Sequence, residues 1–413
     1  MQAETMKKRV RRLYIMDYCL TPRKRIEHSA ILCENERILA VGGASAFSID
    51  SELEVYELSG AYATPGFIDT HIHGAGGFDA SVMREDEPGL EAMSRILASR
   101  GVTGFVPTMV SLPREEMLNN LAQLSAMLDQ ELPGAQALGI HVEGPFLNPA
   151  KRGAQNEHAM LPIDLGYARE IVAAAGGRLR RMTFAPELAQ SEKLVELLCE
   201  SGVQPSMGHS LANEAETLRA IDAGARCCTH LFNGMPPLEQ RNISITAVAL
   251  TDNRVTTELI IDGRHIHPRM VDLACRCKPG SKLVAISDGT MASGMPDGRY
   301  HIGKQEIVVE QGMSRTQAGT LAGTTTLLDT GWHGLMTYGK TDETYAAGTV
   351  SYNAAQSLNL TDRGILQPGM RADIAIFEQG SNKLLMTLAG GEIVFRAEGV
   401  KPSRLPEMPE NES

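Results

Sequence analysis

An eight-stranded (β/α)8, TIM-like barrel beside a small split β-domain is the α/β fold class the sequence predicts. Three observations predict it. From about residue 61 to 299, eight apolar runs alternate with amphipathic stretches. The runs are continuously apolar, as in parallel strands buried on both faces. Histidines and carboxylates stand at the C-terminal ends of these runs all around the count, where a barrel builds its site. A doubly wound sheet is the rival, and that distribution argues against it.

The first elements are short strands at Arg12–Met16, Ala30–Cys33 and Arg37–Val41, with a turn at Gly42-Gly43. The barrel runs are Ala63–Ile68, Val102–Pro107, Ala137–Val142, Met182–Pro186, Val203–Met207, Ala225–Thr229, Val255–Ile261 and Leu283–Ser287. Helical stretches lie between them at Gly89–Ser99, Arg114–Gln130, Leu165–Ala175, Ser191–Ser201 and Glu214–Ala223. Strand texture returns at Tyr300–Gly303, Gln305–Glu310, Asp373–Phe377 and Glu392–Arg396, around helical pieces at Thr324–Gly339 and Thr344–Ser357. The late strands are expected to pair with the early ones. Residues 1–60 and 300–400 then form one discontinuous β-domain, a split sandwich. The barrel takes 61–299, with associated helices also within 324–357. The polar tail 401–413 is expected to fray.

At 413 residues the chain fits one large domain with a smaller partner. Its 43% hydrophobic and 22% charged residues exclude wholesale disorder. No apolar run approaches the ~18–20 residues needed to span a bilayer, so no membrane partner is expected. The basic start Met6–Arg12 is followed by a short apolar stretch holding Asp17, which does not read as a secretory signal. Lys and Arg total 39 against 50 Asp and Glu, a net charge of −11 that argues against nucleic acid. Seven cysteines without a C-x-x-C pair suggest neither a disulfide framework nor a thiolate zinc site, and point to a reducing cytoplasm. Forty glycines with 5% aromatics suit many tight βα turns.

Five segments carry chemistry. Pro65–Gly74 ends a strand in His71-Ile72-His73, and side chains two apart on an extended segment share a face. His141-Val142-Glu143-Gly144-Pro145 puts a carboxylate at the end of an apolar strand, costly there unless paired or metal-bound. His209 in Met207–Ser210 and His230 in Cys228–Asn233 each end a strand, and Asp288 ends the eighth. Taken singly, each has an ordinary reading: polar residues at a strand end, a salt bridge at the barrel mouth, a packed core histidine at His141. Together they converge on one barrel face. His and carboxylate ligands without cysteine suit zinc, iron or manganese in an open hydrolytic site.

These residues resemble the amidohydrolase superfamily, and within it the N-acetylglucosamine-6-phosphate deacetylases. The resemblance spans about residues 12–396. It includes Gly139–Pro145, Thr183–Glu187, Leu321–Gly323 and Gly364–Gly369. It implies metal-dependent deacetylation of N-acetylglucosamine 6-phosphate to glucosamine 6-phosphate and acetate. Glu143, His209 and His230 would bind the main metal; His71 and His73, with Glu143 bridging and Asp288 nearby, would hold a second. One or two ions are implied, zinc first. The ion lowers the pKa of bound water toward ~7 and polarises the carbonyl, so metal-bound hydroxide attacks the acetamide. Asp288 would be the general acid/base, taking a proton and returning it to the departing amine. For the sugar phosphate, the resemblance implies Asn233, Gly234, Arg241 and His265, the last supplied by a neighbouring subunit of a homodimer. Arginine suits bidentate phosphate binding.

Departures fall in the substrate loops. Gln155, a further substrate contact the resemblance implies, stands where the family usually has His, in Lys151–Asn156, which resembles a substrate loop. Arg241 is followed by Asn242-Ile243-Ser244 where Glu-Pro-Gly is common, and Asn233-Gly234 replaces Asn-Ala. Another substrate on the same fold therefore stays open: N-acetylgalactosamine 6-phosphate, an N-acyl amino acid or a cyclic amide. A non-catalytic binding or scaffold protein is the remote alternative, and loss of a metal ligand would mark it.

Overall fold

The chain changes sheets at Gly66. In the computed structural model, which describes residues 10–405, Leu53–Pro65 belongs to one sheet and Phe67–Ile72 opens another. The sequence reading joined Ala63–Ile68 into a single strand; the structure divides it. Pro65 has no N–H to continue a ladder. Gly66 passes so close to Thr103 that a Cβ there would stand 2.2 Å from its Oγ1. The Gly66 N–H donates to Asp373 O at 2.9 Å, and the Phe67 N–H to Gly101 O at 3.0 Å.

The second sheet is a nearly closed parallel barrel. Its strands run in chain order: Phe67–Ile72, Val102–Met109, Ile140–Glu143, Leu179–Phe184, Gln204–Met207, Cys227–Cys228, Thr256–Ile260 and Leu283–Ile286. The eighth strand meets the first where the Asp288 N–H donates to His71 O at 3.0 Å. Every residue of the first two strands is buried, as a parallel strand between core and helices requires. Outer helices shield the ring. Leu90–Ala98 turns Leu90, Met93 and Leu97 inward at helical spacing. Glu214–Ala223 starts on a capping box, with Asn213 Oδ1 accepting from the Glu216 N–H and the Glu216 carboxylate accepting from the Asn213 N–H.

The other large sheet has seven strands. Its order is Glu392–Arg396, Leu384–Ala389, Ile374–Glu378, Leu53–Pro65, Arg11–Thr21, Lys24–Glu34 and Arg37–Gly43. Early and late segments thus share one sheet, over a core that includes Tyr14, Ile31, Tyr56, Ile374, Ile376 and Met386.

Gly298–Ile302, Gln305–Glu310 and Met313–Thr316 do not join it. The sequence reading assigned this region to the split β-domain; the structure makes it a separate three-stranded sheet. Ile302 and Ile307 bury instead against Val110, just past the second barrel strand, and Ala322. The chain then returns to the barrel with the helix Leu328–Thr337.

The expected fraying of 401–413 does not extend to its first residues. The Ser403 N–H donates to Val55 O at 2.8 Å, and Val55 N–H to Arg404 O at 2.9 Å. Late strands cover only Ala61–Pro65 of that strand, so the edge at Val55 is open to pairing. The rest of the tail, 406–413, and the basic Met6–Arg9 lie outside the described residues. Among the described residues no helix is long and apolar enough to cross a membrane.

Candidate metal centre

The C-terminal ends of five barrel strands bring His71, His73, Glu143, His209, His230 and Asp288 together, each under 9% exposed. They form two triads whose ligand atoms lie within 4.8 Å of one another: Glu143, His209 and His230; and His71, His73 and Asp288. Glu143 joins them. Its Oε1 lies 2.9 Å from His230 Nε2 and 3.1 Å from His209 Nε2; its Oε2 lies 3.4 Å from His73 Nε2. Asp288 Oδ1 lies 3.3 Å from His71 Nε2 and 3.2 Å from His73 Nε2.

All four imidazoles aim Nε2 inward, and three are held from behind through Nδ1. His73 Nδ1 stands 3.0 Å from Thr108 O, and His209 Nδ1 stands 2.7 Å from Lys151 O. A carbonyl only accepts, so Nδ1 carries a proton and Nε2 is the nitrogen left facing a ligand. His71 Nδ1 faces Glu258 Oε2 at 3.4 Å. His230 Nδ1 has no hydrogen-bond partner among the described residues.

The backbone is strained at this face. His209, His230 and Asp288 have φ of 47°, 28° and 50°, left-handed values unusual for side chains other than glycine. Such conformations cost on the order of 1–3 kcal/mol each and collect at functional sites.

The charges favour a cation. Burial alone would raise the carboxyl of Glu143, but His209, His71 and His230 hold it well below the usual range. Burial likewise works against Asp288, yet the bond to His73 and the adjacent imidazoles keep its carboxyl low. Conversely, burial opposes charge on His73 and His230, while Asp288 and Glu143 draw both up to about 9. Two buried carboxylates and inward imidazole nitrogens, without a thiolate, fit a divalent metal.

Gln155 is buried against Glu143 and Ser111. Its Nε2 donates to Glu143 Oε2 at 2.7 Å; its Oε1 accepts from Ser111 N at 2.9 Å and Ser111 Oγ at 2.7 Å. Gly234 borders His209: a Cβ there would lie 3.0 Å from His209 Nδ1. Asn233 sits one residue before it, with Nδ2 3.5 Å from His230 O. Arg241 is exposed and His265 Nδ1 stands 2.8 Å from Asp262 Oδ2; among the described residues neither bonds to either triad. His141 is a packed core residue, between Thr183 Oγ1 at 2.8 Å and Thr108 Oγ1 at 3.3 Å, with burial holding it well below its ordinary pKa.

Sequence reasoning missed Ser111, Glu258 and Arg181. Glu258 carried a signal of the same kind as Glu143, a carboxylate inside an apolar run. Arg181 stands one residue before the fourth run as it was read.

A model of the amidohydrolase family matches residues 62–394. An N-acetylglucosamine-6-phosphate deacetylase of Bacillus subtilis (strain 168) is 34% identical over 385 residues, covering 90% of this chain and 96% of that protein. An N-acetylgalactosamine-6-phosphate deacetylase of Escherichia coli O157:H7 is 31% identical over 366 residues, covering 88% and 96%. Among solved structures, a Mycobacterium smegmatis N-acetyl-D-glucosamine-6-phosphate deacetylase variant in complex with N-acetyl-D-glucosamine-6-phosphate superposes with a TM-score of 0.86 at 30% identity, over 93% of this chain and 99% of that one.

Proposed function

The chain belongs to the amidohydrolase family, and on that premise we propose the following reading. It is a divalent-metal-dependent deacetylase that hydrolyses N-acetylglucosamine 6-phosphate to glucosamine 6-phosphate and acetate. The observation that carries the reading is Glu143 shared between two buried triads, with Asp288 closing the second.

Glu143, His209 and His230 would hold one ion; His71 and His73, with Glu143 and Asp288, would hold another. When bound, the metal supplies Lewis acidity, lowering the pKa of water and polarising the amide carbonyl. Asp288, kept ionised by its imidazole neighbours, takes a proton from the attacking water. The new C–O bond forms at the carbonyl carbon. Asp288 then returns the proton to the amide nitrogen as the C–N bond breaks, so the sugar leaves as an amine. An unprotonated amine is a poor leaving group, which makes this second transfer necessary. Zinc is the ion we favour, since imidazole and carboxylate donors suit it.

Asn233 and Gly234, beside His230 and His209, are the contacts we propose for the sugar phosphate. Arg241 and His265 would complete them, His265 from the neighbouring subunit of a homodimer; Arg241 is exposed and has no ion-pair partner among the described residues. The seven unpaired cysteines accord with a cytoplasmic enzyme. The Escherichia coli relative makes the galactosamine epimer the competing substrate. Metal analysis followed by acetate release from both hexosamine phosphates tests the reading. A metallated protein that leaves both untouched refutes it.

A further inference from the structure

Beneath His71 lies a buried ion pair that the proposed reaction does not use. Glu258 is in the seventh barrel strand and Arg181 in the fourth, and both are fully buried. Arg181 Nη1 is ion-paired to Glu258 Oε1, which also accepts from Thr70 Oγ1 at 2.8 Å. Arg181 Nη2 donates to Ser357 Oγ at 3.0 Å. The other carboxylate oxygen, Oε2, is the partner of His71 Nδ1 at 3.4 Å.

Two charges in a core cost several kcal/mol each to desolvate, and such a pair is weak evidence for stability. Apolar residues would fill the same volume at no such cost. The pair is also placed differently from the other supports of the site. His73 and His209 rest on neutral backbone carbonyls, whereas His71 alone rests on an ionised carboxylate. A carboxylate behind an imidazole fixes its tautomer and makes the opposite nitrogen a stronger donor. Arg181 and Thr70 fix the carboxylate in turn.

We propose that Glu258, held by Arg181, is a positioning residue that orients His71 and strengthens its Nε2 as a ligand for the second metal ion. The proposal rests on the metal reading above. Its reach is specific: the ion at Glu143, His209 and His230 should be indifferent to it.

The test compares wild type with Glu258→Gln and with the double variant Arg181→Met/Glu258→Leu. Each is titrated with cobalt(II) against a competing chelator, with the cobalt visible spectrum and the circular dichroism recorded. Wild type should bind two ions. Glu258→Gln should bind the second about 10- to 100-fold more weakly, a typical loss for such a support, with the first unchanged and the spectrum altered. If Glu258→Gln does not fold, the double variant, which leaves no unpaired buried charge, should show the same loss. Either folded variant binding two ions with wild-type affinity and spectrum overturns the proposal. So does failure of both variants to fold, which would make the pair structural, or a wild type that binds one ion only. A wild type that binds no divalent ion refutes the metal reading itself.

Discussion

Gln155 donates its carboxamide hydrogen to Glu143 Oε2 at 2.7 Å while Ser111 supplies both donors to its carbonyl. Both ends of the side chain are therefore committed within the protein. The loop residue supports the carboxylate that joins the two triads. Replacing Gln155 by Ala should lower kcat by about 10- to 100-fold, as loss of a support behind a metal ligand does. KM should change little. Steady-state kinetics separate this from a substrate contact, whose loss would act mainly on KM.

Asp288→Asn keeps the shape of the side chain and removes its capacity to take a proton. Turnover should fall by about 10²–10⁴-fold. Bound metal should persist, because Glu143, His209 and His230 are untouched. Acetate release and elemental analysis on the same sample check both halves. Retained turnover would reject the acid/base role.

Chelation should abolish acetate release, and restored zinc should return it. The same treatment should lower the melting temperature, because an ion bound only by the folded chain stabilises it by about 4 kcal/mol at a thousandfold excess over Kd. Calorimetry with and without chelator measures this. An unchanged melting curve would count against an ion held among these buried groups.

Arg241→Ala tests the phosphate contact. Loss of a hydrogen bond to a charged group costs about 1.5–3 kcal/mol, so KM for the phosphorylated sugar should rise about 10- to 100-fold. Activity on N-acetylglucosamine without phosphate should not change. Equal effects on both sugars would remove Arg241 from the binding site.

Gly66→Ala would place a methyl 2.2 Å from Thr103 Oγ1. Overpacking of this kind costs about 1–3 kcal/mol. Denaturant unfolding should show a lower midpoint with the same slope.

The residues of the two triads were legible because each ends or follows a run of apolar residues, and a polar side chain is conspicuous there. His71, Glu143, His209, His230 and Asp288 share that signature. The role of Gln155 was not legible. Its partners Glu143 and Ser111 lie 12 and 44 positions away, so only the folded chain shows which groups it supports. Glu258 carried the signal of a carboxylate in an apolar run, but its pairing with Arg181, 77 positions distant, was not legible. The barrel's strand order followed from the alternation of runs and helices. The sheet change at Gly66 did not: Pro65-Gly66 was taken inside the run Ala63–Ile68, and the division rests on contacts with Thr103 and Asp373.

The Gly66–Asp373 hydrogen bond has a consequence for synthesis on the ribosome. Leu53–Pro65 feeds directly into the strand that carries His71, yet the Ala61–Pro65 end of that feeder takes its outer partner from Ile374–Glu378. The chain must therefore emerge through Glu378, more than 300 residues beyond His71, before the anchor of the first barrel strand is complete. A nascent chain stalled short of this point carries all six proposed metal ligands without the clasp that fixes two of them. Truncation that removes Ile374–Glu378 should then yield a chain that has these ligands in sequence but holds its ions poorly.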